Sequence, residues 1–191
     1  MNEAEVHAYL VEHGAVQTGH FKLSSGKHSD TYVQNALVLR WPGVAERLGH
    51  ELGASFDGVG ASVVVGPALG GVVIAHEVAR FLGLPMLFSE RADGRMTLRR
   101  GFSLDPEDRV LVIEDTVSTG RSQREVIDLV RDAHAEVVGV GAIVDRSDGV
   151  SFGVPFHALL RLQAPLWEQD SCPLCAQGSE PVSPGSRHLT R

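Results

Sequence analysis

The chain has 191 residues, 43% of them hydrophobic, which suffices for one substantial core and leaves two independent domains small. Its formal charge of -7 disfavours a surface built to coat nucleic acid, because counterion release needs clustered Lys and Arg. No run approaches the ~20 apolar residues of a membrane span, and the start MNEAEVHAYLVEHG has no basic region ahead of an apolar one. A cytoplasmic protein with no nucleic acid or membrane partner is therefore expected.

The first dozen residues predict a helix with Val6, Leu10 and Val11 on one side, broken at Gly14. Between Phe21 and Val38, two short extended pieces flank a turn at Ser24, Ser25 and Gly26. Pro42 suits the first position of a helix whose apolar face carries Val44, Leu48 and Leu52. Residues 62–66, SVVVG, make a β-branched strand with no wet face; PALGG and a helix bearing Ile74, Val78, Ala79 and Leu82 follow. Further strands are predicted at 85–88, 109–113 and 136–144, with a helix carrying Val126, Leu129, Val130 and Ala133 before the last of them. Such alternation argues for an α/β fold, a parallel central sheet flanked by helices, with its site beyond the carboxyl ends of the strands. From about residue 165 the sequence is rich in Pro, Gly and Ser and reads as an irregular tail laid over the domain.

The densest chemistry lies in residues 110–122, VLVIEDTVSTGRS. A hydrophobic strand ends in two adjacent carboxylates and runs into a Thr, Ser and Gly loop that opens a helix. Amide groups at a helix N-terminus, with the hydroxyls of Ser118, Thr119 and Ser122, suit a phosphate dianion, and Gly120 allows close approach. Glu114 and Asp115 repel phosphate, so hydroxyls or a metal ion are their natural partners. A sugar phosphate satisfies both demands.

This stretch resembles the signature of the type I phosphoribosyltransferases for 5-phosphoribosyl 1-pyrophosphate (PRPP). The resemblance implies that fold, and implies that Glu114 and Asp115 hold the ribose hydroxyls while Thr116, Ser118, Thr119, Gly120, Arg121 and Ser122 cradle the 5-phosphate. Residues 65–71, VGPALGG, look like the same family's pyrophosphate loop, with Gly66, Ala68, Leu69, Gly70 and Gly71 lining it. A strained non-proline peptide near Ala68, the cis form included, is implied as well.

Residues 19–34, GHFKLSSGKHSDTYVQ, resemble the N-terminal hood of orotate phosphoribosyltransferases. Orotate carries a ring carboxylate, so its site needs N–H donors, a cation and an apolar or aromatic wall. Ser25, Gly26, Lys27, Tyr32, Val33, Thr119 and Arg146 are the residues this implies. Tyr32 and Val33 fall where the family has a pair of aromatic residues. Many members carry a lysine where this chain has Ser24, so the cation must come from Lys22, Lys27 or elsewhere, with Arg146 of residues 143–146, IVDR, as a source. An Asp-Arg pair at a strand end also reads as a surface ion pair of little energetic worth.

Residues 89–102, SERADGRMTLRRGF, set Arg91, Arg95, Arg99 and Arg100 around a turn at Asp93-Gly94. A mobile cationic loop would stabilise departing pyrophosphate and exclude water. In the family that loop comes from the neighbouring subunit of a homodimer. The lysine- and histidine-bearing version common there is missing here, and a solvated hairpin is the competing reading. Arg91 and Arg95, with Asp115, are the expected catalytic residues, and Arg91 also counts toward PRPP binding.

Cys172 and Cys175 have the spacing of half a zinc site. His157 or His188, or the second half of a dimer, would complete it; two reduced cysteines packed in the tail are the other reading. CPLC followed by Pro184-Gly185-Ser186-Arg187 resembles the C-terminus of a bacterial branch of the same family.

The expected organisation is a single domain over 1–191, with a hood at about 1–40, a core at about 41–164 and a tail at about 165–191. The resemblance implies transfer of the phosphoribosyl group from PRPP to orotate, with Mg2+ held mainly by PRPP. A purine-base phosphoribosyltransferase would share the PRPP site and differ in the hood. A non-catalytic PRPP-sensing regulator would need a basic face or an added DNA-binding motif.

Overall fold

Val6 and Leu10 lie one turn apart on helix α1 (Glu3–Glu12) and are fully buried in the computed structural model, which describes residues 1–23 and 25–184. Val11 does not join them and is 47% exposed, since one residue's step turns a helix by about 100°. Strands β1 (Val16–Lys22) and β2 (His28–Val33) then form an antiparallel hairpin. Its tip is closed by the Leu23 N–H donating to the Lys27 carbonyl at 2.8 Å, with Ser25 and Gly26 exposed between them; Ser24 lies outside the described residues. A short helix α2 (Ala36–Leu39) and helix α3 (Pro42–Ala54) follow; Pro42 opens α3 as expected, and Leu48 and Leu52 are its buried face.

The remaining strands are β3 (Val63–Pro67), β4 (Met86–Ala92), β5 (Arg95–Leu98), β6 (Arg109–Val117), β7 (Glu136–Asp145) and β8 (Phe156–Arg161). They form one six-stranded sheet in the order β5-β4-β3-β6-β7-β8, parallel except for the antiparallel edge strand β5. Helices α4 (Gly70–Leu82) and α5 (Arg121–Asp132) connect β3 to β4 and β6 to β7. Alternate residues point to opposite faces of a strand. Val64, Leu111, Ile113 and Ile143 therefore pack with α3 and α4, while Val63, Val65, Val110 and Val112 pack with α5 on the other side.

One strand exceeds the sequence reading: β8 has an alternation too weak to stand out. β5 makes residues 89–102 the hairpin that competed with a mobile loop, at the sheet edge, with Asp93 and Gly94 both at positive φ (49° and 81°) in its turn.

The tail is irregular but not loosely laid. It carries a 3₁₀ turn at Gln169–Ser171 and a one-turn helix α6 (Pro173–Ala176). It pairs with the hood on both edges: His28 and Trp167 exchange main-chain hydrogen bonds of 2.8 and 2.9 Å, and Val182 bonds to both His20 and Lys22 at 2.8 Å. No helix among the described residues is long and apolar enough to cross a membrane.

Candidate active site

Strands β3 and β6 are neighbours, yet the chain leaves β3 toward one sheet edge and resumes at β6 toward the other. A crevice opens at such a reversal because the two following connections part to opposite sides. Past Pro67 the Ala68–Leu69 peptide is cis, and α4 starts at Gly70. Past Val117 come Ser118, Thr119 and Gly120, and α5 starts at Arg121. Neither N-cap residue bonds its helix through a side chain; the Val72 N–H donates to the Leu69 carbonyl at 3.2 Å and the Arg121 N–H to Thr119 Oγ1 at 3.4 Å, which leaves the amides of Gly70, Gly71, Ser122 and Gln123 without a partner among the described residues. Gly120 adopts the left-handed conformation (φ 72°) that turns the chain into α5, at little cost for glycine.

The acid pair stands between these helix ends. Glu114 is buried, 7% exposed, and Asp115 is half-buried. The Asp115 N–H donates to Glu114 Oε1 at 3.1 Å, the Thr116 N–H to Asp115 Oδ1 at 2.8 Å, and Gln123 Nε2 to Glu114 Oε2 at 3.4 Å. Burial, and then the neighbouring Asp115 carboxylate, push the Glu114 carboxyl well above the usual range; burial pushes Asp115 up as well. No ion pair with either acid forms among the described residues. Adjacent buried carboxylates with no cation ask for hydroxyl donors or a metal ion from a ligand. A Cβ on Gly70 would stand 2.7 Å from Asp115 Oδ1, and one on Gly71 2.9 Å from Glu114 Oε1, so only glycine lets α4 begin this close.

Of the loop hydroxyls, Ser118 and Thr119 are exposed and Ser122 is half-buried. The Arg121 side chain turns along its own helix to Glu125 at 2.9 Å. Thr116 is engaged elsewhere: its Oγ1 accepts from Asn35 Nδ2 at 2.9 Å, and the same nitrogen donates to the Asp115 carbonyl at 2.9 Å. Sequence reasoning missed Asn35. The one signal for it was a polar residue set just ahead of the apolar run ALVL.

The residues expected around a base divide. Tyr32, half-buried at the end of β2, is near enough to Arg146 to act on its charge. The Arg146 main-chain N–H donates to Val117 at 2.8 Å, and burial pulls its guanidinium below the usual arginine range. Arg146 has no carboxylate partner among the described residues; Asp145 instead accepts from the Ser147 N–H at 2.8 Å, so the alternative Asp-Arg ion pair does not form. Val33 points the other way and packs against the core. Ser25, Gly26 and Lys27 sit at the far tip of the hairpin, and Lys27 is paired with Glu168 of the tail at 2.9 Å. Five strand steps, about 16 Å, separate Lys27 from Tyr32.

The arginine hairpin is also partly committed. Arg91 bonds to the Gly94 carbonyl at 2.7 Å and pairs with Glu125 of α5, while Arg100 grips Glu90 through two bonds of 2.9 Å. Arg95 is exposed and has no ion pair among the described residues. The hairpin adjoins the pyrophosphate-loop candidate, for the Ala68 N–H donates to the Ser89 carbonyl at 2.8 Å.

The zinc reading needs correction in its partners. His157 packs edge-on to Phe56 with ring centroids 5.2 Å apart, and His188 lies outside the described residues, as do Gly185, Ser186 and Arg187. Cys172 and Cys175 meet two other histidines, His20 and His28. Residues so far apart in the chain, joined by the hood-tail pairing, left no local pattern to read.

Comparison with known proteins gives the same outline. Residues 43–152 match the family model described as a phosphoribosyl transferase domain. The orotate phosphoribosyltransferase of Caldanaerobacter subterraneus subsp. tengcongensis is 53% identical over 175 residues, covering 91% of this chain and 92% of that protein. That of Desulforamulus reducens is 48% identical over 191 residues, all of both chains. Among solved structures, the orotate phosphoribosyltransferase from Aeropyrum pernix superposes with a TM-score of 0.70 at 27% identity, over 82% of this chain and 93% of that one.

Proposed function

The chain belongs to the orotate phosphoribosyltransferases, and on that footing we propose how its residues carry out the transfer of the 5-phosphoribosyl group from PRPP to orotate, yielding orotidine 5-phosphate and pyrophosphate. The full-length identity to relatives of that name favours orotate over a purine base, and enzyme over regulator. One observation carries the residue assignment: a buried acid pair without a cation, set between two uncapped helix N-termini.

Glu114 and Asp115 accept hydrogen bonds from the ribose hydroxyls, beside those they already accept from the Asp115 and Thr116 amides and Gln123. Amides of the first turn of α5, with Ser118, Thr119 and Ser122, bind the 5-phosphate. The turn through Ala68, Leu69 and Gly70 receives pyrophosphate, and Leu69 there is 87% exposed. Mg2+ fits a site with a buried and a half-buried carboxylate, neither paired with a cation, beside phosphate-binding amides; Glu114 and Asp115 would hold it through the sugar, and it would supply neutralisation of pyrophosphate charge. Arg146, desolvated and free of acidic partners, pairs with the orotate carboxylate while the Tyr32 ring walls the base. With Val33 in the core, one aromatic residue does the work of the family's pair.

Arg95, exposed at the sheet edge, is available to a neighbouring subunit's pyrophosphate in a homodimer. Holding the sugar, the leaving group and the base in one crevice converts a bimolecular step into one within a bound complex. The enzyme works in the cytoplasm. A spectrophotometric assay tests the reading, with purified chain, PRPP, Mg2+ and each of orotate, uracil, adenine, hypoxanthine and xanthine. Orotate alone should be consumed; turnover of a purine without orotate would contradict it.

A further inference from the structure

We propose that His20, His28, Cys172 and Cys175 form a structural Zn2+ site that fastens the C-terminal tail to the hood. Their candidate ligand atoms all lie within 4.8 Å of one another. His20 Nε2 is 2.9 Å from His28 Nδ1, 3.5 Å from Cys172 Sγ and 3.7 Å from Cys175 Sγ; Cys175 Sγ is 3.3 Å from His28 Nδ1. With Zn–N of about 2.05 Å and Zn–S of about 2.3 Å, a tetrahedron has ligand-ligand edges of about 3.3 to 3.8 Å. Three of these separations already match those edges, and the nitrogen pair is somewhat shorter.

Hydrogen bonding alone accounts poorly for the arrangement. Two imidazoles and two thiols converge where His20, His28 and Cys172 are all buried, and His28 Nε2 has no partner among the described residues. Such mutual approach of lone-pair nitrogens and sulfurs is what a cation at the centre would reward. The ring orientation of His20 is fixed from outside: its Nδ1 lies 3.2 Å from Ser179 Oγ, a tail residue placed as an outer partner that sets which nitrogen faces the metal.

Ligand chemistry selects the ion. Two thiols and two imidazoles in tetrahedral array suit Zn2+ and reject Mg2+ and Ca2+, which want oxygen. Four protein ligands, three of them buried, leave no open position, so the ion is structural and takes no part in the transfer reaction. Binding deprotonates both thiols and releases their protons to solvent, leaving a neutral ZnS2N2 centre.

The position gives the site its purpose. His20 and His28 face each other across the hairpin just below its tip, where Lys22 pairs with His28. Cys172 precedes and Cys175 lies within the single turn of α6, between the two tail segments that pair with the hairpin edges at Trp167 and Val182. The metal would therefore close a clasp around the hood, holding the tip that carries Ser25, Gly26 and Lys27.

Metal content of the full chain, purified under reducing conditions without an affinity metal, tests this independently of enzyme activity. We expect about one zinc per chain, and Co2+ replacement giving thiolate charge-transfer and tetrahedral ligand-field bands. Cys175→Ser and His20→Ala should each lower zinc retention at least about tenfold, whereas His157→Ala should keep it. A chelator should lower the melting temperature of the wild type and leave that of Cys175→Ser unchanged. Folded, reduced wild type that takes up neither zinc nor cobalt would overturn the proposal. So would a Cys172–Cys175 disulfide in the isolated chain that, once reduced, still binds no metal.

Discussion

Asn35 donates one side-chain nitrogen to both the Asp115 carbonyl and Thr116 Oγ1, each at 2.9 Å, and so ties the hood to the strand end that carries the acid pair. Asn35 is 1% exposed, and its bonds cannot be replaced by water without opening the crevice. Asn35→Ala should cost about 1–3 kcal/mol of stability, read from urea unfolding. An unchanged midpoint and slope would mean that the hood is held by its apolar contacts alone.

Gly70→Ala sets two effects against each other. Alanine favours a helix over glycine by about 1 kcal/mol. Its Cβ would nevertheless stand 2.7 Å from Asp115 Oδ1, closer than carbon and oxygen tolerate, and the carboxylate must move. Stability should change by less than about 1 kcal/mol while the KM for PRPP rises about tenfold. An unaltered KM would remove Asp115 from the sugar site.

Arg146→Ala deletes the desolvated cation assigned to the orotate carboxylate. A charge-assisted hydrogen bond is worth about 1.5–3 kcal/mol, so the KM for orotate should rise roughly tenfold to a hundredfold. PRPP affinity should stay as it was. Arg146→Lys should recover part of the loss, since the charge returns without the planar fork. Equal losses for both substrates would contradict the assignment.

The pH dependence follows from the acid pair. Burial raises both carboxyls in the folded chain, so over that range the native state binds more protons than the unfolded one. Stability from these groups is present below the ordinary carboxylate pKa of about 4 and is lost as pH rises through the raised values. A Glu114→Gln, Asp115→Asn double variant lacks that loss. Its melting temperature should gain on the wild type as pH is raised from about 5 to about 8, measured without ligand. A constant gap would show that the pair titrates normally.

The parts of this molecule legible in the sequence are those whose signal is local. Leu48 with Leu52, and Ile74 with Val78, are buried as their spacing predicts, because one helix face must meet the sheet. The strand of residues 109–113 ends in Glu114 and Asp115, and adjacent acids after an apolar run are visible without any tertiary knowledge. Val11 is exposed because, one residue past Leu10, it sits about 100° round the helix from the buried face. Asn35 and the pairing of His20 with Cys172 were illegible because their partners are remote in the chain; 152 residues separate that last pair. Lys27 looked like a free cation until the tail brought Glu168 against it.

PRPP affinity of the Glu114→Gln, Asp115→Asn double variant, measured by calorimetry with Mg2+ present, bears most directly on the account. The charge-assisted bonds to the sugar vanish, so binding should weaken at least about tenfold, with orotate turnover falling in step and the fold intact. Wild-type affinity and turnover in that variant would contradict the sugar site described above.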